Sequence, residues 1–412
     1  MLYFPFLLVA QKQNKDIQRA DAYFEVGQFN NAVKYYLYGK RKENLKYVFH
    51  QLSKCYRKLN QPYETVNYLK KLSELEPLDH LKEYELAQAL KIIGSYVEAK
   101  KIFIKLSKKF PEEFHYKDQI TSCDSALIYK RRSNAYIYKV KNLETINSKY
   151  SEISPFRSKN QLIFSSNRED YILQNRPGGG ELPFFSLYTA DNVIGRAYSP
   201  IKNFAIDGTD NEHKSSISFN NEGNKIFYTQ HTSSYSRDST ENFARLKIFF
   251  LEKINGHWRN PHSFIFNDST DSFAHPYLTE DEKMFFFASD MKGGVGGMDI
   301  YVCILKDSLW SMPINLGAPV NSPGNEIYPY YRIDNQTLYF SSDYHPGWGG
   351  YDIFQAIEKN GELVLKNFQP PINSSYDDFG LVWEDGLKSG YFVSNRPKGK
   401  GKEDIYWFYK ME

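Results

Sequence analysis

Three stretches in the second half of the chain are copies of one pattern: "LTEDEKMFFFASDMKGGVGGMDIYVC" from Leu278, "RIDNQTLYFSSDYHPGWGGYDIFQA" from Arg332 and "WEDGLKSGYFVSNRPKGKGKEDIYWF" from Trp383. Each reads as strand, Gly-rich hairpin loop, strand. Their closing aromatics fall at Tyr301, Phe354 and Tyr406, steps of 53 and 52 residues. Two looser copies end at Tyr188 and Phe249, and the step from Phe249 to Tyr301 is again 52. A unit of four short strands at this period cannot cover both faces of its own sheet, whereas a ring of such units buries them against each other. Five copies therefore predict a five-bladed β-propeller over residues 131–412. The first copy begins at Phe156 and carries an enlarged loop, "EDYILQNRPGGGELPFF"; the second has a long insertion before "LKIFFLEK". Upstream, Asn134 to Ser148 ("NAYIYKVKNLETINS") matches the connection "WSMPINLGAPVNS" near Trp310. It is expected to supply the outer strand of the fifth blade, because a ring closed by both ends of the domain leaves no exposed edge.

Before residue 130 the period is different. "GQFNNAVKYY" from Gly27, "NQPYETVNYL" from Asn60 and "GSYVEAKKIF" from Gly94 are offset by 33 and 34 residues, with Ala32, Thr65 and Ala99 in register. Ala20, Ser53 and Ala87 stand where paired helices must approach closely, Tyr23 and Tyr56 fill the next turn, and Pro77 and Pro111 close the second and third units. From about Asn14 to Pro111 the region resembles the tetratricopeptide family, which implies three helical hairpins. Asn44 in place of a closing Pro, Asn60 in place of a turn Gly and Leu90 in place of an aromatic depart from that pattern. The stretch Glu112 to Tyr129 is expected to cap the stack. The fold class is thus α+β multidomain, with a helical solenoid over residues 11–130 followed by the propeller.

Charge separates the two regions. Up to Lys130 there are 22 Lys and Arg against 15 Asp and Glu, a net of +7; the remainder carries −4. Opposite signs favour distinct surfaces for distinct partners. No dense basic stripe with interleaved aromatics is present, so nucleic acid is not an expected partner. The three cysteines, Cys55, Cys123 and Cys303, have no CxxC spacing and read as buried thiols. Residues 1–10, MLYFPFLLVA, form an apolar run ending in a small residue, like the end of a secretory signal peptide, though without a basic start. No segment reads as a transmembrane helix.

The strand units resemble the WD40-like, TolB-type propeller repeats of bacterial periplasmic proteins. Their pairing with tetratricopeptide repeats is similar to the PorE-like periplasmic components of type IX secretion and gliding motility. That resemblance implies a non-enzymatic scaffold on the periplasmic side of the outer membrane, with secretion or motility proteins as partners. Members of that group often end in an OmpA-like peptidoglycan-binding module, whereas this sequence stops at Glu412, so peptidoglycan binding is not expected. By the family pattern the first helix of each unit lines a concave groove, which would show Asp21, Phe24 and Glu25, then Tyr47, His50, Lys54, Arg57 and Lys58, then Tyr84, Gln88 and Lys91. Lys54, Arg57, Lys58, Tyr84, Gln88 and Lys91 are the candidate partner-binding residues, the basic ones suited to a carboxylate or acidic segment.

No cofactor, metal or catalytic residue is expected. The loops Asp290 to Asp299 and Asp343 to Asp352 set paired Asp around glycines, an oxygen-rich pattern that calcium would accept. The same letters serve hairpins, with Gly supplying positive φ and Asp bonding nearby amides, and the third copy, Asn395 to Asp404, brings in three lysines. The nine histidines show no HExxH spacing, and there is no GxSxG elbow. His275, Glu326 and Tyr328 fall near the starts of inner strands, where they would line an axial channel. The alternative to a scaffold is a ligand-binding or enzymatic propeller acting on a glycan or peptide through such a channel.

Overall fold

A computed structural model of the chain describes residues 14–113, 115–131, 137–158, 160–168, 185–193, 197–206, 213–233, 244–384 and 388–411. The N-terminal apolar run and the enlarged loops of the first two strand units lie outside these residues. The chain divides into two compact units, with the boundary at Lys117/Asp118.

In the first unit, α1 (Lys15–Glu25) pairs with α2 (Phe29–Gly39), α3 (Leu45–Lys58) with α4 (Pro62–Ser73) and α5 (His80–Ile92) with α6 (Tyr96–Lys109). Starts are capped locally: Asn14 Oδ1 accepts from the Asp16 amide, Asp79 Oδ1 from the Lys82 amide, and Pro62 opens α4. The first helix of each hairpin is stopped by a left-handed residue, Gly27 (φ 75°), Asn60 (φ 53°) or Gly94 (φ 75°). Asn60 fills the glycine's place because asparagine tolerates that backbone region. Ala20, Ala32, Ser53, Thr65, Ala87 and Ala99 are all buried, the condition for the helix backbones to approach. Tyr23 stacks on Tyr35 and Tyr56 on Tyr68 across the hairpins.

The seventh helix, α7 (His115–Arg131), straddles the boundary. From Asp118 onward it belongs with the second unit, so the division falls within the stretch expected to cap the helical stack. There Ser122 Oγ donates to the Gly347 carbonyl, a contact buried in a strand loop, and burial together with the nearby Asp118 carboxylate raises the Tyr344 pKa. Cys55, Cys123 and Cys303 are buried free thiols.

The second unit is a five-bladed propeller of antiparallel sheets. A first strand, β1 (Tyr138–Asn142), belongs to the last blade. Blade 1 runs from axis to rim as β2 (Glu152–Ser158), β3 (Gln161–Ser166) and β4 (Ser186–Val193), then the short β5 (Ala197–Tyr198) and β6 (Lys202–Asn203). Blade 2 is β7 (Lys214–Phe219), β8 (Lys225–Ser233), β9 (Ala244–Ile254) and β10 (His257–Ser263). Blade 3 is β11 (Phe273–Leu278), β12 (Met284–Ser289) and β13 (Asp299–Lys306), edged by β14 (Leu309–Trp310) and β15 (Ile314–Asn315). Blade 4 is β16 (Glu326–Arg332), β17 (Thr337–Ser342), β18 (Asp352–Lys359) and β19 (Glu362–Asn367). Blade 5 is β20 (Asp378–Trp383), β21 (Ser389–Ser394) and β22 (Asp404–Lys410), with β1 as its outer strand. In that pairing Tyr138 stands opposite Lys410 and Asn142 opposite Tyr406. Tyr138 packs edge-on against Phe408, 5.5 Å between ring centroids. Aromatic residues fill the spaces between sheets, as around Phe285, Phe287 and Tyr301, and around Phe392, Tyr406 and Phe408.

Candidate functional site

Each of the five inner strands breaks register once, with shifts between Ile153 and Phe156, Ser215 and Ile217, Ala274 and Tyr277, Ile327 and Tyr330, and Phe379 and Val382. The residue at each bulge is left-handed: Ser154 (φ 54°), Ser216 (φ 46°), His275 (φ 55°), Tyr328 (φ 54°) and Gly380 (φ 64°). A bulge re-aims its side chain, and these residues line one cavity on the propeller axis. Ser154 Oγ lies 3.1 Å from Ser216 Oγ and donates to the Tyr328 hydroxyl at 3.2 Å. The rings of His275 and Tyr328 stack at 3.9 Å, and Phe379 lies against Tyr328 at 5.3 Å. Residues of all five blades thus meet at one level. His275 and Tyr328, picked out from their position in the sequence, belong to this ring; Ser154 and Ser216 were not picked out. Burial lowers the His275 pKa to about 3 and raises that of Tyr328, so both are uncharged at neutral pH.

Blade-to-blade bonds hold the bulges. The His275 amide donates to Thr229 Oγ1 of blade 2, and the Gly380 amide to Ser341 Oγ of blade 4.

Glu326 lies two residues ahead of Tyr328 and does structural work. Its carboxylate accepts from the Ser322 amide (2.8 Å), Ser322 Oγ (2.5 Å) and Ser342 Oγ (2.6 Å). Glu152 in blade 1 and Asp378 in blade 5 hold the same place, bonded to Ser148 and Ser374. Each of those two acids also meets an arginine, Arg168 at 3.0 Å and Arg396 at 2.5 Å. Blade 4 supplies His345 instead, 3.9 Å away, its own pKa lowered by burial. Without a cation, burial pushes the Glu326 pKa up to about 7 against the pull of its three donors. The folded chain therefore holds this proton more tightly than the unfolded chain does. Stability falls as pH rises from the free glutamate value, about 4.3, towards 7. Buried Asp377 and Glu403, also raised, add slope of the same sign. Glu326→Gln should flatten this dependence between pH 5 and 7.5 in urea titrations, and an unchanged slope would exclude Glu326 as its source.

The Gly-rich loops are built on their last aspartate. Asp299 accepts from the Gly296 amide and Asn315 Nδ2, Asp352 from the amides of Trp348 and Gly349, and Asp404 from those of Lys400 and Gly401. That is turn chemistry.

In the helical unit the six candidate groove residues separate. Arg57, Tyr84 and Gln88 line one cleft of about 90 Å3 between the second and third hairpins, walled by Pro62, Thr65, Ala89 and Ile92. Gln88 Nε2 donates to the Tyr84 hydroxyl at 2.7 Å, and Arg57 pairs with Glu85 at 2.7 Å. Lys54 is half-buried outside the cleft, Lys58 is exposed and Lys91 is buried. Asp21 is engaged by the hydroxyls of Tyr36 and Tyr47, both at 2.6 Å. The His50 pKa is lowered to about 4 by burial and by the charges of Lys54 and Lys82.

No protein-family model matches the sequence, and no curated protein does. Among solved structures, the C-terminal TPR-containing domain of a Plasmodium falciparum putative FK506-binding protein is 16% identical over 29% of this chain and 89% of its own, with a TM-score of 0.25. A glycoside hydrolase is 9% identical over 65% of this chain and 89% of its own, TM-score 0.43. A B. megaterium levansucrase mutant is 10% identical over 70% and 92%, TM-score 0.39. None of these scores reaches 0.5, and the likenesses carry no argument about activity.

Proposed function

We propose that the chain is a non-enzymatic partner-binding protein of the periplasm, a component associated with an outer-membrane secretion (type IX) or gliding-motility machinery, and that the helical unit grips the partner. The observation that supports this reading is the cleft of Arg57, Tyr84 and Gln88. It joins an apolar wall to a guanidinium and an amide, the combination that seats an apolar side chain while orienting a neighbouring carboxylate or peptide group. Arg57 is half-exposed and its pairing with Glu85 is of the surface kind worth about 0–1 kcal/mol. An incoming carboxylate therefore displaces Glu85 at little cost.

The test is in-cell cross-linking of the tagged full chain, with mass spectrometry of what co-purifies from the cell envelope. Outer-membrane secretion or motility proteins should be recovered with the parent, and at least tenfold less with Lys54→Glu plus Arg57→Glu. Recovery of the same partners by a folded double variant would remove the cleft from the reading. Recovery of the protein alone would remove the scaffold itself.

A further inference from the structure

Each blade ends at the rim in an outer strand whose far edge pairs with nothing in its own sheet. An open edge presents a row of amides and carbonyls that can pair with another chain, and proteins usually interrupt it or charge it. Among the described residues, four of the five edges are blunted in this way. Blade 1 ends in β5 and β6 and blade 3 in β14 and β15, pieces of two residues each. In blade 2, β10 breaks register between Arg259 and His262, and Pro261 within the break has no amide hydrogen. In blade 5, β1 places two exposed lysines, Lys139 and Lys141, on one face.

The outer strand of blade 4, β19, has none of these devices. It runs for six residues in unbroken register with β18 and contains no proline. Leu363 and Val364, on opposite faces of it, are 41% and 37% exposed.

The direction of its free groups follows from the ladder. In an antiparallel pair, alternate residues turn both N–H and C=O toward the partner strand. The Phe368 amide donates to the Ile353 carbonyl, so at steps of two Lys366, Val364 and Glu362 also face β18. The amides and carbonyls of Leu363 and Leu365 therefore point outward, into the free edge.

A strand that pairs with its own copy about a two-fold axis must be complementary to itself when read backwards. The run "ELVLK" from Glu362 to Lys366 is. With Val364 on the axis, Leu363 lies opposite the partner's Leu365, and Glu362 lies opposite the partner's Lys366. The backbone allows this register, because Leu363 and the partner's Leu365 both turn their groups outward and exchange hydrogen bonds on each side of the axis. The pairs at Val364 and at Glu362 are then of the non-hydrogen-bonded kind, in which side chains stand closest. A slip of one residue sets outward groups against inward ones, and a slip of two sets Val364 against a charge.

We propose that β19 is a homodimerisation edge: two copies of the chain pair β19 antiparallel about Val364, which joins two four-stranded blades into one continuous sheet. The surface lies on the propeller and does not rest on the helical cleft. One strand pair buries less than the roughly 1,200–2,000 Å2 of a standard interface, so the dimer is weak and exchanges readily.

Sedimentation velocity of the full chain, from micromolar to several hundred micromolar, follows the association. The parent should pass from monomer to dimer across this range. Val364→Lys sets two ammonium groups against each other on the axis and should weaken association at least tenfold. Glu362→Lys alone and Lys366→Glu alone should each weaken it severalfold, because each sets like charges opposite at both ends. Mixed in equal amounts, these two charge variants should associate with each other as tightly as the parent does with itself. All three side chains are exposed, and rescue on mixing rules out a loss of folding as the cause. Lys54→Glu plus Arg57→Glu should leave the dimer unchanged, which keeps this inference separate from the cleft. A monomer at every concentration overturns the proposal, and a cross-link from Lys366 to a different protein of the cell envelope would then give the edge to a partner's strand. A dimer that survives Val364→Lys and both charge variants overturns it as well.

Discussion

Gly349→Ala should destabilise the propeller by about 3 kcal/mol or more, at the upper end of what an added methyl does in a packed site. A Cβ at Gly349 would stand 2.3 Å from the Tyr376 carbonyl oxygen and 2.4 Å from the Ser375 carbonyl carbon. Its counterparts are as tight: 2.1 Å from Gly296 to the Ser322 oxygen and 1.6 Å from Gly401 to the Tyr150 oxygen. In each case the obstacle is the backbone leading into the next inner strand. A backbone has no rotamer to change, so the blades themselves must part. At roughly 2–4 °C per kcal/mol for a domain of this size class, the melting temperature should fall by about 6–12 °C. Gly361→Asn is the control. Gly361 (φ 83°) follows Asn360 (φ 55°) in a hairpin turn with open space around it, and asparagine accepts that conformation. It should melt within about 2 °C of the parent, given a cost of some tenths of a kcal/mol. Thermal unfolding followed by circular dichroism decides the matter, and a Gly349→Ala variant as stable as Gly361→Asn would refute the close-approach account.

These loops show where the sequence was legible and where it was not. The period of 52 to 53 residues and the Gly-rich hairpins pointed to a five-bladed propeller, because the repeat of a packed unit is written in its own letters. The turn role of Asp299, Asp352 and Asp404 was also readable, since their backbone-amide partners lie within a few residues. The glycines were read as sources of positive φ. Gly293 has that conformation (φ 89°), but Gly296, Gly349 and Gly401 do not. They serve close approach to a segment more than twenty residues away in the next blade, or at the other end of the domain, which no local pattern records. The axial ring was half legible for a related reason. Its five residues are Ser, Ser, His, Tyr and Gly, with no letter common to all five. A usable signal was the proline that follows three of them, Pro155, Pro276 and Pro329, because proline inside a paired strand marks a bulge. On the helices, the tetratricopeptide resemblance put Arg57, Tyr84 and Gln88 among the groove residues, and these three line one cleft. It could not tell that Lys91 would be buried or that Glu85 would share the rim, since neighbouring helices decide those outcomes.

The connection motif that matched Asn134–Ser148 to the stretch before the fourth unit carries the second large effect. In "INS" and "VNS" the asparagine acts as a piece of outer strand. Asn373 Oδ1 accepts from the Ile353 amide at 2.9 Å, and its Nδ2 donates to the Ile353 carbonyl at 2.9 Å and to Asn367 Oδ1 at 3.0 Å. Asn321 does the same for Ile300, and Asn147 for Ile405. Asn373→Ala leaves the Ile353 amide buried and unpaired while its carbonyl keeps the Phe368 amide, so a loss of about 1–3 kcal/mol, the cost of one unsatisfied group, is expected. Asn267 makes the equivalent bonds to Ile248, at 3.2 and 2.6 Å, but is half-buried, so water can replace its amide and Asn267→Ala should cost about 1 kcal/mol. The order Asn373 above Asn267 is the discriminating result in urea titrations. Equal costs would mean that burial, not strand mimicry, fails to set the scale. Asn147→Ala tests the same bond where it matters most for the ring. Asn147 anchors the segment between β1 and β2 to β22, the strand that joins the two ends of the propeller, so its loss should speed unfolding as well as lower stability. Stopped-flow unfolding faster in Asn147→Ala than in an Asn373→Ala variant of matched stability would place the opening of the ring at the β1–β22 seam; equal rates would place it elsewhere.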